Sequence, residues 1–249
     1  RQRQMCIRDR GNTKAVLTVE KVGKVDLPAP DIFFGNDKME VTDTDIYKSD
    51  QAFTQGQMIT VTGIDNLNEW WIDPDFFEKQ SDGALKFLPI NGDYRVTANA
   101  VLKYFSVMAL KDGKPAKLQD DGTGAIWAIG KGIGKPSVAS SEVGWEPGKA
   151  LCLAQVAPKK YQLTLKAGET LKTSGDPEVI SFKFFHQNDW GGEFSNYASN
   201  TLVEQLKLAD SGNLEMQDNK AFEEGAVYRF TIDVTNGNAN ADLKVEKIN

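Results

Sequence analysis

Along most of this chain apolar and polar residues alternate with a period of two, the signature of a half-buried strand. From Ile180 the pattern runs Ser-Phe-Lys-Phe-Phe, so Phe182 and Phe184 face one way and Ser181, Lys183 and Phe185 the other. The same reading predicts strands over Ala15–Val19, Gln57–Gly63, Ala84–Leu88, Tyr94–Thr97, Val101–Leu110, Ala125–Gly130, Ala150–Val156, Lys160–Leu165, Tyr228–Thr235 and Ala241–Val245. Between them lie turn formers: Ser81–Gly83, a hairpin turn at Asn91–Asp93, Gln187–Gly192, Asp210–Asn213 and a second hairpin turn at Asn236–Asn238. Helical periodicity is weak; the best segment is Asn200–Leu208, with a short helical piece near Pro74. The pattern predicts an all-β chain of antiparallel sheets in two domains. The glycine-rich break Asp120–Gly124 divides them into modules 31–118 and 119–249. Lys131–Glu146 reads as one long loop.

Two stretches repeat an order of features. In the first half Gly63 leads to Trp70 and Trp71, then Leu85-Lys86-Phe87, then Gly92 to Thr97. In the second Gly130 leads to Trp145, then Phe182-Lys183-Phe184, then Gly225 to Thr231. The spacings differ, so a diverged duplication and a chance likeness between two sheets both account for it.

The first ten residues, Arg1 to Arg10, read as a translated sequencing adapter, and residues 1–30 as an artefactual or disordered terminus followed by the proline linker Leu27–Pro30. On that reading the native N-terminus, with any signal peptide or lipid anchor, is missing from the chain.

With 249 residues and 40% hydrophobic content the chain can build two cores. A net charge of −6 argues against nucleic acid. His186 is the only histidine, which excludes a multi-histidine metal site and a Ser-His pair elsewhere. Of the two cysteines, Cys152 reads as a small core residue. Gly130–Gly134 lacks the Lys-Ser/Thr of a phosphate loop. Asp73 with Asp75, and Asp189 with Glu193, are the carboxylate pairs that hydrolysis or a Ca²⁺ site would use; in turns such residues usually serve the backbone instead. No cofactor, metal or catalysis is expected.

What remains is aromatic. Trp190 sits in an Asn/Asp/Gly turn at a strand end, beside Lys183, Asn188 and Asp189. An indole that stacks on the C–H face of a sugar, flanked by groups that bond hydroxyls, is a usual means of holding a glycan. Trp190 plugging the core under its own loop is the plain alternative. Trp145 and one of Trp70 and Trp71 offer further rings, while mid-strand Trp127 belongs to a core. The expected contacts are Trp190, Trp145, Lys183, Asn188, Asp189 and Trp71.

The run Ala125–Gly130, Gly144-Trp145, Phe182–Phe184, Asn188–Trp190 and Ala221–Asp233 resembles the C-terminal modules of SusE/SusF-type surface lipoproteins of the Bacteroidota, over roughly residues 119–249. Residues 31–118 resemble, more loosely, domains found ahead of such modules. The resemblance implies two tandem antiparallel β-sandwich domains, immunoglobulin-like or carbohydrate-binding-module-like, that hold an oligo- or polysaccharide without cleaving it, beside a TonB-dependent importer. It implies a lipid-anchored place at the cell surface of the outer membrane, or the periplasm, with no other membrane contact. The chain departs from that pattern in its 131–146 loop and between Phe194 and Gly225. Two other readings stay open: a structural or docking module with no glycan site, and a weak glycoside hydrolase.

Overall fold

The computed structural model describes residues 30–249 apart from Gly175, and before them only the backbone of two short strands. Those strands, Met5–Arg8 and Lys14–Leu17, pair antiparallel. The second overlaps the strand expected at Ala15–Val19; the linker Leu27–Ala29, and residues 1–4, 9 and 10 of the terminal segment, lie outside the described residues.

The described chain is almost wholly β. In the first half a five-stranded sheet runs Lys114–Pro115, Tyr104–Lys111, Gly92–Asn99, Ile46–Phe53, Glu40–Asp43. Two three-stranded sheets accompany it. One sets Leu85–Phe87 between Met58–Ile59 and Phe77–Lys79; the other sets Phe33–Phe34 between Asp37–Lys38 and Val61–Thr62. Phenylalanine rings bridge the sheets: Phe34 meets Phe105 at 5.2 Å, and Phe87 lies 4.9 Å from both Phe53 and Tyr94.

The second half has two larger sheets. The first runs Glu142–Gly144, Trp127–Gly134, Ser181–Phe185, Leu214–Met216, Leu206–Leu208, with Leu151–Cys152 added beside the start of Trp127–Gly134. The other runs Ala154–Ala157, Lys160–Lys166, Val227–Asp233, Asp242–Lys247, and ends on the parallel strand Ser199–Thr201. Phe182 and Phe184 of one sheet meet Phe230 of the other at 5.5 and 6.4 Å. The alternation of Ser181–Phe185 holds, with Phe182 and Phe184 sealed in this core. Phe185, on the opposite face, is buried too.

The repeated feature order has a structural counterpart. Gly92–Asn99 and Val227–Asp233, which carry the two Tyr-Arg-apolar-Thr runs, are both central strands. Each lies between an earlier strand (Ile46–Phe53 or Lys160–Lys166) and a later one (Tyr104–Lys111 or Asp242–Lys247). Tyr94 and Tyr228 are buried in both. The Leu-Lys-Phe and Phe-Lys-Phe strands are also internal, but with different neighbours in chain order.

Several local expectations are corrected. Lys131–Glu146 is not a loop: the strand Trp127–Gly134 runs through its start, then come one helical turn at Val138–Ser141 capped by Ser137, and the strand Glu142–Gly144. Gly130 and Gly132 take positive φ, 140° and 84°, which hid the strand's continuation. Asn200–Leu208 is not helical but holds two strand segments at sheet edges. Asn91–Asp93 closes no hairpin, because the strands on either side of it belong to different sheets. Gln57–Gly63 splits at Thr60 and feeds two sheets. Near Pro74 the chain makes a turn in which Asp73 O accepts from Phe76 N and Phe77 N, while the nearest helical piece is the single 3₁₀ turn Leu67–Glu69.

Candidate functional site

Trp190 is displayed. Its side chain, about half exposed at 52%, stands on the turn after Ser181–Phe185. That turn is tied at its base by His186 N donating to Gly192 O (2.7 Å) and Phe194 N to Phe184 O (2.9 Å). Its tip is fixed by Trp190 N donating to Asp189 Oδ1 (2.8 Å) and Gln187 Nε2 to Trp190 O (2.6 Å). Gly191 and Gly192 both take positive φ, which lets the chain reverse this tightly.

The indole rests edge-on against buried Phe185, 6.1 Å between centroids and 74° between planes. Beside it lies Trp145, 6.4 Å away and inclined by only 26°. Trp145 follows the strand Glu142–Gly144, which pairs with Gly130 and Gly134, and its ring is half-buried against the second-half core. Residues 45 positions apart thus supply two near-parallel indoles on one anchored platform. Asn188 is half-buried and Asp189 exposed in the same turn.

Lys183 shares the strand face of Phe185, and its side chain is nine-tenths buried. Among the described residues it makes no ion pair or hydrogen bond, and its amino group is not among the sealed, unsatisfied atoms. Most of the side chain is covered. His186 packs on Phe194 (4.4 Å), and burial pushes its pKa below the ordinary value, so it is neutral at pH 7.

Trp71 is elsewhere. Trp70 is buried, stacked on Phe105 at 4.6 Å, whereas Trp71 is half-buried and donates its indole N–H to Glu169 Oε1 (2.9 Å) of the second half. It lines a cavity of about 580 Å³ between the halves, with Asp73, Tyr104, Ser106, Lys135 and Glu142 among its walls.

Sequence reading missed a buried charge cluster that both halves build. Lys135 Nζ, buried between the halves, lies 2.7 and 2.9 Å from the two Asp73 oxygens and 3.1 Å from Asp75 Oδ2. Asp75 also accepts from Gln162 Nε2 (2.7 Å), Thr164 Oγ1 (2.6 Å) and Thr164 N (2.6 Å). Lys135 stands 5.9 Å from the Trp71 ring centre. Burial alone would lower the lysine pKa, but the two carboxylates hold it above the ordinary value. Burial, with the charge of Asp75, raises Asp73 despite Lys135; the donors around Asp75 outweigh its burial and lower it. Asp73 and Asp75 do converge as a cation site requires, but the cation they hold is an ammonium. No group of three or more His, Cys, Asp or Glu able to hold a metal occurs among the described residues. The signal present in sequence was Asp73-Pro74-Asp75; nothing local paired it with Lys135, about 60 residues away.

Residues 121–235 match the model of a domain of unknown function, DUF5121, and residues 18–118 that of another, DUF5125. No curated protein matches the chain. Among solved structures, SusF from Bacteroides thetaiotaomicron is similar at 15% identity with a TM-score of 0.34, over 95% of this chain and 52% of that one. The chain therefore spans about half the length of that protein. No helix among the described residues is long and apolar enough to cross a membrane.

Proposed function

We propose that this protein binds a glycan without cleaving it, through the platform of Trp145 and Trp190. The single observation that carries the reading is two near-parallel indoles, one of them half exposed, held in place by a buried ring. An exposed Trp on a tied turn exposes apolar area to water, and a sugar's C–H face is a natural cover for it. Asn188, Asp189 and Lys183 are the candidate hydrogen-bonding groups for the sugar's hydroxyls. Each half is read as one β-sandwich, its sheets packed through the phenylalanine contacts, with the division near residue 119.

The sequence resemblance to SusE/SusF-type modules extends the proposal. The protein would capture polysaccharide at the outer-membrane surface, or in the periplasm, and pass it to a TonB-dependent importer. Stacking with two or three hydrogen bonds gives weak affinity, on the order of μM to mM, which suits a collector that must release its ligand.

The test is affinity electrophoresis against a panel of neutral and acidic polysaccharides, with calorimetry on any that retard the protein. Trp190→Ala and Trp145→Ala should each weaken binding about tenfold or more, Trp190→Ala with little change in thermal stability and Trp145→Ala with some loss from the core contact it gives up. Wild-type protein that binds no polysaccharide would favour the docking-module reading. Hydrolysis of a bound chain would favour the glycoside hydrolase.

A further inference from the structure

We infer that the cavity between the halves is a second and separate binding site, for a neutral saccharide of one or two rings. Its volume of about 580 Å³ lies within the range of small-molecule sites. It is lined by both halves, so it exists only when they are docked.

The lining determines the ligand class. Trp71 is half-buried, and its N–H is occupied by Glu169 (2.9 Å), which fixes the plane of the ring. Tyr104 follows in the same wall, joined to Trp71 by a bridge between their backbones, and burial raises its phenol pKa, so it stays protonated. Neither the Tyr104 hydroxyl nor the half-buried Ser106 hydroxyl bonds another group among the described residues. Glu142 has one oxygen engaged by Gly132 N (2.9 Å) and Lys172 (2.8 Å); the other makes no such bond. These groups offer a ring surface, hydroxyls that donate and accept, and a carboxylate acceptor.

Charge argues against an anionic ligand. Lys135 is consumed by Asp73 and Asp75, and Lys149 at the rim pairs with Glu146 (2.9 Å). No cation in the lining is left over for a phosphate or carboxylate, whereas an uncharged polyol needs none. Both Asp73 oxygens are held by Lys135, so the carboxyl group is turned toward the ammonium.

The experiment separates this site from the indole platform. Saturation-transfer NMR is run with glucose, galactose, mannose, xylose, maltose and cellobiose on a Trp145→Ala/Trp190→Ala double variant, which lacks the platform. At least one of these sugars should bind with millimolar affinity. Adding Ser106→Trp, which fills the cavity from a half-buried strand position, should abolish that binding while circular dichroism and melting temperature stay as before. Tyr104→Phe, which removes only a hydroxyl, should weaken it roughly three- to tenfold. A double variant that binds none of the six sugars, or binding that survives Ser106→Trp, overturns the inference. Either result leaves the platform to be judged by its own polysaccharide assay.

Discussion

Asp73 and Asp75 stand two residues apart on one turn, meet the same ammonium, and have opposite electrostatic roles. Asp75 accepts from four donors and is held below its ordinary pKa; Asp73 is pushed up by burial and the charge of Asp75, although Lys135 bonds both its oxygens. Removing Asp75 would leave a buried lysine with one carboxylate in place of two and Thr164 and Gln162 short of an acceptor. Asp75→Ala should therefore cost about 3–5 kcal/mol in denaturant unfolding, and Asp73→Asn clearly less. The pH dependence separates them further. A raised folded pKa means that the folded state holds the Asp73 proton more tightly than the unfolded chain does. The stability this gives is fully present below the unfolded aspartate value of about 3.9 and is lost as pH rises through the folded value. Relative to Asp73→Asn, the wild type should thus lose melting temperature as pH is raised from about 4, then level off. A difference that stays flat, or runs the other way, would show that Asp73 is not the raised member of the pair.

Among the elements, the strand Trp127–Gly134 does most to position the platform. It pairs with Ser181–Phe185, which carries the Trp190 turn, and with Glu142–Gly144, which leads to Trp145. Gly130 is where these demands meet: it faces Phe182 on one side and Gly144 on the other, with φ of 140°. A Cβ there would lie 2.4 Å from Phe182 Cα and from Ser181 O, both backbone atoms of the neighbouring strand. Gly130→Ala should destabilise the fold by about 2–4 kcal/mol, combining overpacking with strained φ. It should also weaken polysaccharide binding through both indoles, so unfolding curves and affinity gels should move together. Near-wild-type behaviour in both would mean that the two strands can separate at little cost.

Taken whole, the molecule joins its halves through a shared interior. Trp127 belongs by sequence to the second half, yet its indole N–H donates to Ala116 O (2.9 Å) and its ring packs in the first-half core with Cys152 and Ala154. Ile90 N donates to Gln155 O (2.8 Å), Leu118 N to His186 O (2.8 Å), and the Lys135 cluster spans the same boundary. An interface with a common core and buried charges leaves neither half complete by itself. Calorimetry should show one cooperative transition, with the calorimetric enthalpy equal to the van't Hoff value. Two resolved transitions would mean that the halves fold independently.

The sequence by itself determined the all-β character, most strand positions, the two central Tyr-Arg strands and the presence of Trp190 on a turn. Alternation and turn chemistry are local, and side chains two apart reveal a strand's faces without its partners. The same locality made the glycine-broken strand after Gly130 look like a loop and two edge strands look like a helix. Only the tertiary structure decided that Trp190 is displayed beside Trp145, that Trp71 belongs to a different cavity, and that the Asp73–Asp75 turn grips Lys135. Those outcomes depend on which strands become neighbours and on how the halves dock. Both are set by burial summed over many residues far apart in the chain, and no single stretch contains it.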